Sequence, residues 1–325
     1  MRSRLLLVLA VMLMALALPT AAVAGSTTRI STDSSGAQAD NESAPSSVSA
    51  NGRYIAFRSA ATNLVPGDTN GRMDIFLKDT ATGSIVRVST GSSGGQSNDD
   101  SFEPSISADG RYVAFQSNAS NLVPGDTNNE ADIFLKDTTT GTITRVSTDS
   151  SGGQLGRGSL QASISGDGRF VAFVTDDTNG LSGIFVKDTV TGATRRVSTD
   201  SSGAQGSFQS MEPSISADGR YVAFASGASN LVPSDTNGAQ DVFVKDTVTG
   251  ITRRGAWRWL DPAPRCGLAE SQGSSAPDGR SQSRPALPHA VTLTSPQARR
   301  RPAARGRAAR GIRSRRTRDA RRRGR

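Results

Sequence analysis

Residues 104–115 read PSISADGRYVAF, and the same pattern stands at 45–57 with one extra Ser, at 162–173 with Ala162 for the proline, and at 213–224. The turn glycines Gly52, Gly110, Gly168 and Gly219 are spaced 58, 58 and 51 residues apart. The short interval reflects a deletion of seven residues between Ala172-Phe173 and Ile184-Phe185, since 34 residues always separate the later Phe (76, 134, 185) from the next turn glycine. Self-similarity at a period of roughly fifty residues means stacked modules or a ring.

Each unit reads as four short strands. In the second unit they are predicted at Ser105–Ser107, Arg111–Gln116, Asp132–Lys136 and Thr142–Ser147. Asp109-Gly110 between the first two is a strong hairpin signal, because glycine accepts positive φ. Thr140-Gly141 turns the third strand into the fourth. Apolar residues alternate with period two and are β-branched or aromatic, and helical periodicity is absent from the body. The expectation is an all-β chain of β-propeller blades, four four-stranded antiparallel sheets in an incomplete open ring. The blades fall near 45–91, 103–149, 160–200 and 212–254. Thr28–Thr32 (TRIST) repeats the fourth-strand text of Thr144–Thr148 (TRVST), and a strand from one terminus can complete the last blade of a closed ring.

The run PSISADGRYVAF…DIFLKDTTTGTITRVS resembles the TolB-type propeller repeat of exported bacterial proteins, over residues 28–254. Ala162 and the shortened third unit depart from it. The resemblance implies a radial arrangement of blades, and it leaves the partner open because such blades serve many roles.

Charge divides the chain. The whole carries +9, but residues 255–325 hold 18 Arg, no Lys and four acids, whereas residues 1–254 carry −5. The lone Cys266 and lone His289 also fall in the tail. The body therefore has no disulfide, no Cys/His zinc site, no Ser-His-Asp triad and no Cys nucleophile. The tail begins where the repeat was due to continue with Val-Ser-Thr. Shifting the back-translated Trp257–Pro262 by one base permits Gly-Asp-Gly-Ser-Thr-Gln, similar to the linker expected there. We read 255–325 as a disordered Arg-rich segment from a shifted frame, in preference to a native arm for nucleic acid, and expect no nucleic-acid partner.

At the other end, Arg2 and Arg4 precede an apolar run from Leu5 to Leu18 and the small-residue site Ala22-Val23-Ala24. This is the pattern of a signal peptide (1–24) cleaved after Ala24, and the run is too short for a membrane span. A secreted or periplasmic protein without a membrane span is expected.

In an up-and-down blade the Asp-Gly and Thr-Gly turns share one face. The long loops, such as 118–130 and 149–160, share the other, which is where binding is expected. Those loops repeat Asp-x-Asn-(x)3-Asp at Asp68, Asn70, Asp74, at Asp126, Asn128, Asp132 and at Asp235, Asn237, Asp241. Three side-chain oxygens at that spacing could begin a Ca²⁺ site. The third unit keeps Asp177 and Asn179 but has Gly183 at the last position, so calcium would spare it. Asx turns are the plainer reading. Gly91–Gly95 (GSSGG) fits G-x-S-x-G, but no His or strand-turn-helix accompanies it. Lys78, Lys136, Lys187 and Lys245 are the only lysines, and like Arg53, Arg111, Arg169 and Arg220 they hold one repeat position each, which points to structure. No catalytic or cofactor-binding residue is assigned. The expected role is a binding module for a protein or cell-envelope ligand on the loop face. The alternative is a fragment of a propeller hydrolase or lyase whose active residues lie in blades beyond 254.

Overall fold

The computed structural model describes residues 27–255, which fall in the first of the two units (1–261 and 262–325) into which the chain divides. The expected leader, and the tail after Gly255, lie outside the described residues.

Sixteen strands form four antiparallel sheets, each ordered as the chain runs, with no helix among the described residues. Blade one is β1 (Ser43–Val48), β2 (Tyr54–Ser59), β3 (Asp74–Asp79) and β4 (Ile85–Arg87). Blade two is β5 (Ser101–Ile106), β6 (Tyr112–Ser117), β7 (Asp132–Asp137) and β8 (Ile143–Arg145). Blade three is β9 (Ser159–Ile164), β10 (Phe170–Asp176), β11 (Ser182–Asp188) and β12 (Thr194–Arg196). Blade four is β13 (Ser210–Ile215), β14 (Tyr221–Ser226), β15 (Asp241–Asp246) and β16 (Thr252–Arg254).

Local chemistry fixes each hairpin. In blade two the Ser107 hydroxyl donates to Asp109 Oδ1 at 2.6 Å and accepts from Tyr112 N at 2.9 Å, while Arg111 N donates to Asp109 Oδ1 at 3.0 Å. Gly110 between them has φ 82°, a conformation that costs an L side chain roughly 1–2 kcal/mol. Across the sheet, Phe115 pairs with Phe134 at a ring separation of 5.9 Å.

The first strand of a blade begins earlier than its alternation predicts, at Ser101 rather than Ser105 in blade two. A bulge shifts the register between Phe102 and Ser105, with Glu103 at φ 47°, so two faces of the strand are out of phase and the period-two signal is broken. Gln161 and Glu212 hold the same left-handed conformation in β9 and β13. Thr28–Thr32 forms no strand: Thr32 makes an isolated bridge to Gln38, and Ile30 packs against blade one.

The first strands β1, β5, β9 and β13 pack on one another in order, and the second strand of each blade packs on the first strand of the next. Ala56, Ile75, Leu77 and Val88 of blade one thus meet Ile106, Val113, Phe115, Phe134 and Ile143 of blade two. Ala114, Ile133, Leu135 and Val146 repeat this against blade three, and Ala172, Ile184, Val186 and Val197 against blade four. Each large side chain so buried contributes about 1.5–3 kcal/mol, so the cores lie between blades as much as within them. Blade four does not close on blade one in the way sequential blades join, and the ring is open. Tyr54 lies across Gly110, Tyr112 across Gly168 and Phe170 across Gly219, whereas Gly52 of blade one has open space where a Cβ would stand.

This difference predicts unequal costs for one substitution. Gly52→Ala suffers only the left-handed strain of about 1–2 kcal/mol, while Gly110→Ala adds a collision with Tyr54 worth a further ~1–3 kcal/mol. Urea midpoints should rank wild type, Gly52→Ala, Gly110→Ala in falling order. Equal midpoints for the two variants would contradict the interlock.

Candidate functional site on the loop face

The Asp-x-Asn-(x)3-Asp loops join the second strand of each blade to the third, and an arginine from the fourth strand reaches back into each. In blade one, Arg87 Nη1 stands 2.9 Å from Asp68 Oδ1, 3.2 Å from Asp74 Oδ2 and 3.0 Å from Gln96 Oε1. Ser89 and Ser97 donate to the other oxygen of Asp74, and Asn70 Nδ2 donates to Oδ2 at 2.8 Å. Gln96 ties the loop down, donating to Gly67 O at 2.7 Å and accepting from Asn70 N at 3.1 Å. In blade two, Arg145 Nη1 lies 3.3 Å from Asp126 and 3.4 Å from Asp132, and Gln154 Nε2 donates to both. Asn128 Nδ2 turns to Leu155 O. In blade four, Arg254 Nη1 lies 3.0 Å from Asp235 and 3.2 Å from Asp241, which also accepts from Asn237.

Blade three shows why Gly183 is tolerated. The Arg196 guanidinium fills the space a Cβ at Gly183 would need, and Nη1 donates to Asp177 Oδ2 at 2.9 Å. Asn179 N and Leu181 N both donate to Asp177 Oδ1, an Asx turn. Burial alone would push the Asp177 carboxyl up, but the Leu181 N–H, Gln205 and the Asn179 N–H outweigh it and hold it at about 2. Burial pushes the carboxyls of Asp68 and Asp132 above their usual range. The structure therefore brings Asp68 to Asp74, Asp126 to Asp132 and Asp235 to Asp241, in each case around a guanidinium. Asn70 and Asn237 contact the acid four residues on, whereas Asn128 does not. No cluster of three or more His, Cys, Asp or Glu side chains suited to a metal occurs among the described residues. Sequence reading missed the arginines and glutamines of this network, although their signal was present: Arg87, Arg145 and Arg196 each precede a hydrophobic-Ser-Thr string, and Gln96, Gln154 and Gln205 close each linker.

The other repeated charges join blades or brace turns. Lys136 is buried, and its Nζ donates to Thr90 O at 2.9 Å, Thr90 Oγ1 at 3.0 Å and Gly91 O at 3.3 Å, all on the linker that enters blade two. Lys187 and Lys245 hold Thr148–Asp149 and Thr199–Asp200 in the same way, and Lys78 holds Thr32–Asp33. Burial pushes all four ammonium groups below their usual range. On the turn face, Arg111 pairs with Asp137 at 2.7 Å, as Arg53, Arg169 and Arg220 pair with Asp79, Asp188 and Asp246. Each such arginine holds its carboxyl far below the ordinary carboxylate range. Ser92, in the G-x-S-x-G string, accepts from Ile143 N, and Ser34, Ser150 and Ser201 serve the neighbouring fourth strands likewise.

One loop-face feature stands outside the repeat. A groove of about 570 Å³ between blades two and three is lined by Asn98, Gln116, Asn118, Asn129, Glu130 and Leu160 among others. Asn129 holds φ 55°, and Asn98 exchanges hydrogen bonds with Ser120 across the groove wall. The lining is rich in amides, with an apolar spot at Leu160, which is 41% exposed.

Four up-and-down blades packed in chain order define the class: an open β-propeller arc. Similar solved structures include TolB from Acinetobacter baumannii, at 25% identity and TM-score 0.42 over 66% of this chain and 43% of that one. The putative TolB from Agrobacterium tumefaciens is similar at 17% identity and TM-score 0.43, over 67% of this chain and 62% of that one. The β-propeller domain of the Trilobed protease from Pyrococcus furiosus is similar at 11% identity and TM-score 0.41, over 66% and 57%. The chain thus spans 43–62% of the length of these structures. No protein-family model and no curated protein matches it.

Two predictions come from these networks. Lys136→Met removes charge-assisted bonds to Thr90 and Gly91 and leaves their oxygens unpaired, a loss of about 2 kcal/mol. Its urea midpoint should fall clearly, whereas Thr139→Ala on the exposed turn should leave it in place. We also propose that calcium meets the Asp68–Asp74 loop only in competition with Arg87. Isothermal titration should show no calcium heat for the wild-type chain and a measurable heat for Arg87→Ala. Heat from the wild type with three sites would restore the full ligand set Asp68, Asn70, Asp74 and its counterparts in blades two and four.

Proposed function

We propose that the chain is an exported, non-catalytic β-propeller binding module that takes a protein or cell-envelope ligand on its loop face. The observation that carries this reading is the amide-rich groove between blades two and three. It departs from the repeat, combines hydrogen-bonding side chains with the exposed Leu160, and lies on the face of the long loops. Polar donors and acceptors around a small apolar contact suit an extended peptide segment, whose backbone offers both kinds of group. The repeated ionisable side chains support the same reading. Lysines, arginines and aspartates at repeat positions are engaged in blade-to-blade or turn contacts, so they are committed to the scaffold rather than poised for proton transfer. Export rests on the charged, apolar and small-residue pattern of residues 1–24.

Site-directed photo-crosslinking tests the face. A photoreactive residue at Asn129 should yield a discrete crosslinked partner in the native cell envelope, one at Thr139 on the turn face should not, and Glu130→Lys should reduce the Asn129 product several-fold. Crosslinks confined to Thr139 would move the site to the other face. Peptidase or lyase activity from the purified chain would replace the binding reading with the enzyme-fragment reading.

A further inference from the structure

We propose that blade four of one chain seats on blade one of a second copy, head to tail, repeating the contact that joins blades one to two, two to three and three to four. The two end faces are the unmatched halves of that contact. Ile75, Ile133 and Ile184 are fully buried against the next blade, but their counterpart in blade four, Val242, is 55% exposed. Ile106, Ile164 and Ile215 are buried against the preceding blade, but their counterpart in blade one, Val48, is 58% exposed. A shallow apolar groove of about 360 Å³ beside Val48, lined by Ile30, Ile55 and Phe57, marks the place a preceding blade would fill.

Complementarity extends beyond apolar area. Tyr221 is the counterpart of Tyr54, Tyr112 and Phe170, which lie across the turn glycines of the next blade, and Gly52 is the turn glycine with open space above it. Tyr221 of one copy on Gly52 of the other completes the series. Backbone bonds run from Ala50 N to Ala108 O, Ala108 N to Gly166 O and Gly166 N to Ala217 O, and the same step carries Ala217 N onto Ala50 O of the second copy.

The N-terminal segment supplies what blade four lacks. After Arg196 the sequence reads VSTDSSGAQ (197–205), whereas after Arg254 that text is missing, and residues 30–38 read ISTDSSGAQ. Among the described residues the blade-four network has no counterpart of Gln96, Gln154 or Gln205. The side chain of Arg254 is 37% exposed there, against 9% for Arg87. Ser31 and Gln38 of the second copy stand in the chain where Ser198 and Gln205 stand in blade three, so they would reach Asp241 and Asp235. Lys78 already grips Thr32 and Asp33, which fixes this segment on blade one as a ready-made outer edge. A contact of this heterologous kind closes into a ring when its rotation permits and otherwise extends.

Sedimentation velocity on the chain recovered after export tests the proposal with four samples: wild type, Val48→Arg, Val242→Arg, and an equimolar mixture of the two variants. Both positions are exposed, so neither charge enters a core, and an unchanged far-UV circular dichroism spectrum checks the fold. The wild type should sediment at twice the monomer mass or more, and each variant alone as a monomer. The mixture should regain a dimer, because Val48→Arg keeps an intact blade four and Val242→Arg an intact blade one. A monomeric wild type, a single variant that assembles like the wild type, or a mixture that stays monomeric would overturn the proposal. A monomeric wild type with strong amide-exchange protection at 242–244 would assign that face to residues 256–325 instead.

Discussion

A four-stranded blade has two apolar faces and cannot cover either by itself, and the rest of the structure depends on that constraint. One face offers small and branched residues, Ala56, Ile75 and Leu77 in blade one. The other offers larger ones, Phe115, Phe134 and Ile143 in blade two, so neighbouring faces are unlike and fit in one direction only. Directional packing turns a linear repeat into an ordered arc, and it makes each blade's stability a property of its neighbours. The buried lysines reinforce the same joints. An ammonium taken out of water is costly unless it is fully hydrogen-bonded. Lys136, Lys187 and Lys245 meet that requirement with oxygens of the linker from the blade before, so their satisfaction and the seating of the blades are one event.

The loop face shows how charge can be spent on shape. Two carboxylates brought together repel, and the fold answers with a guanidinium from the fourth strand rather than leaving the pair bare. The arginine, the serine hydroxyls and the glutamine amide fix a long loop that has no strand pairing of its own. Under the proposed binding role, recognition falls to the part of the face that the repeat does not use. The groove between blades two and three is such a part, because Asn118, Asn129 and Glu130 are not repeated: Ala60, Gly71 and Arg72 stand at those positions in blade one, and Gly227, Gly238 and Ala239 in blade four.

By itself the sequence determined the four repeat units, the strand order, the hairpin turns and the absence of His and Cys from residues 1–254. These follow from local rules: a positive-φ glycine after aspartate, period-two alternation, and the restriction of His and Cys to 255–325. The sequence also placed the acidic loop residues and identified the lysines and turn arginines as structural by their repetition. It misjudged the start of each inner strand, because the left-handed bulge at Glu103, Gln161 and Glu212 breaks the alternation that reveals a strand. Only the tertiary structure decided what the loop carboxylates face, since Asp68 and Arg87 are 19 residues apart and nothing in their spacing tells a ligand loop from an ion pair. It bore out the open arc expected from the repeat count, and it alone decided which surfaces the ends present. Those outcomes depend on the angle and fit between whole blades, which are set by side chains meeting across distant segments, and no local pattern encodes that sum.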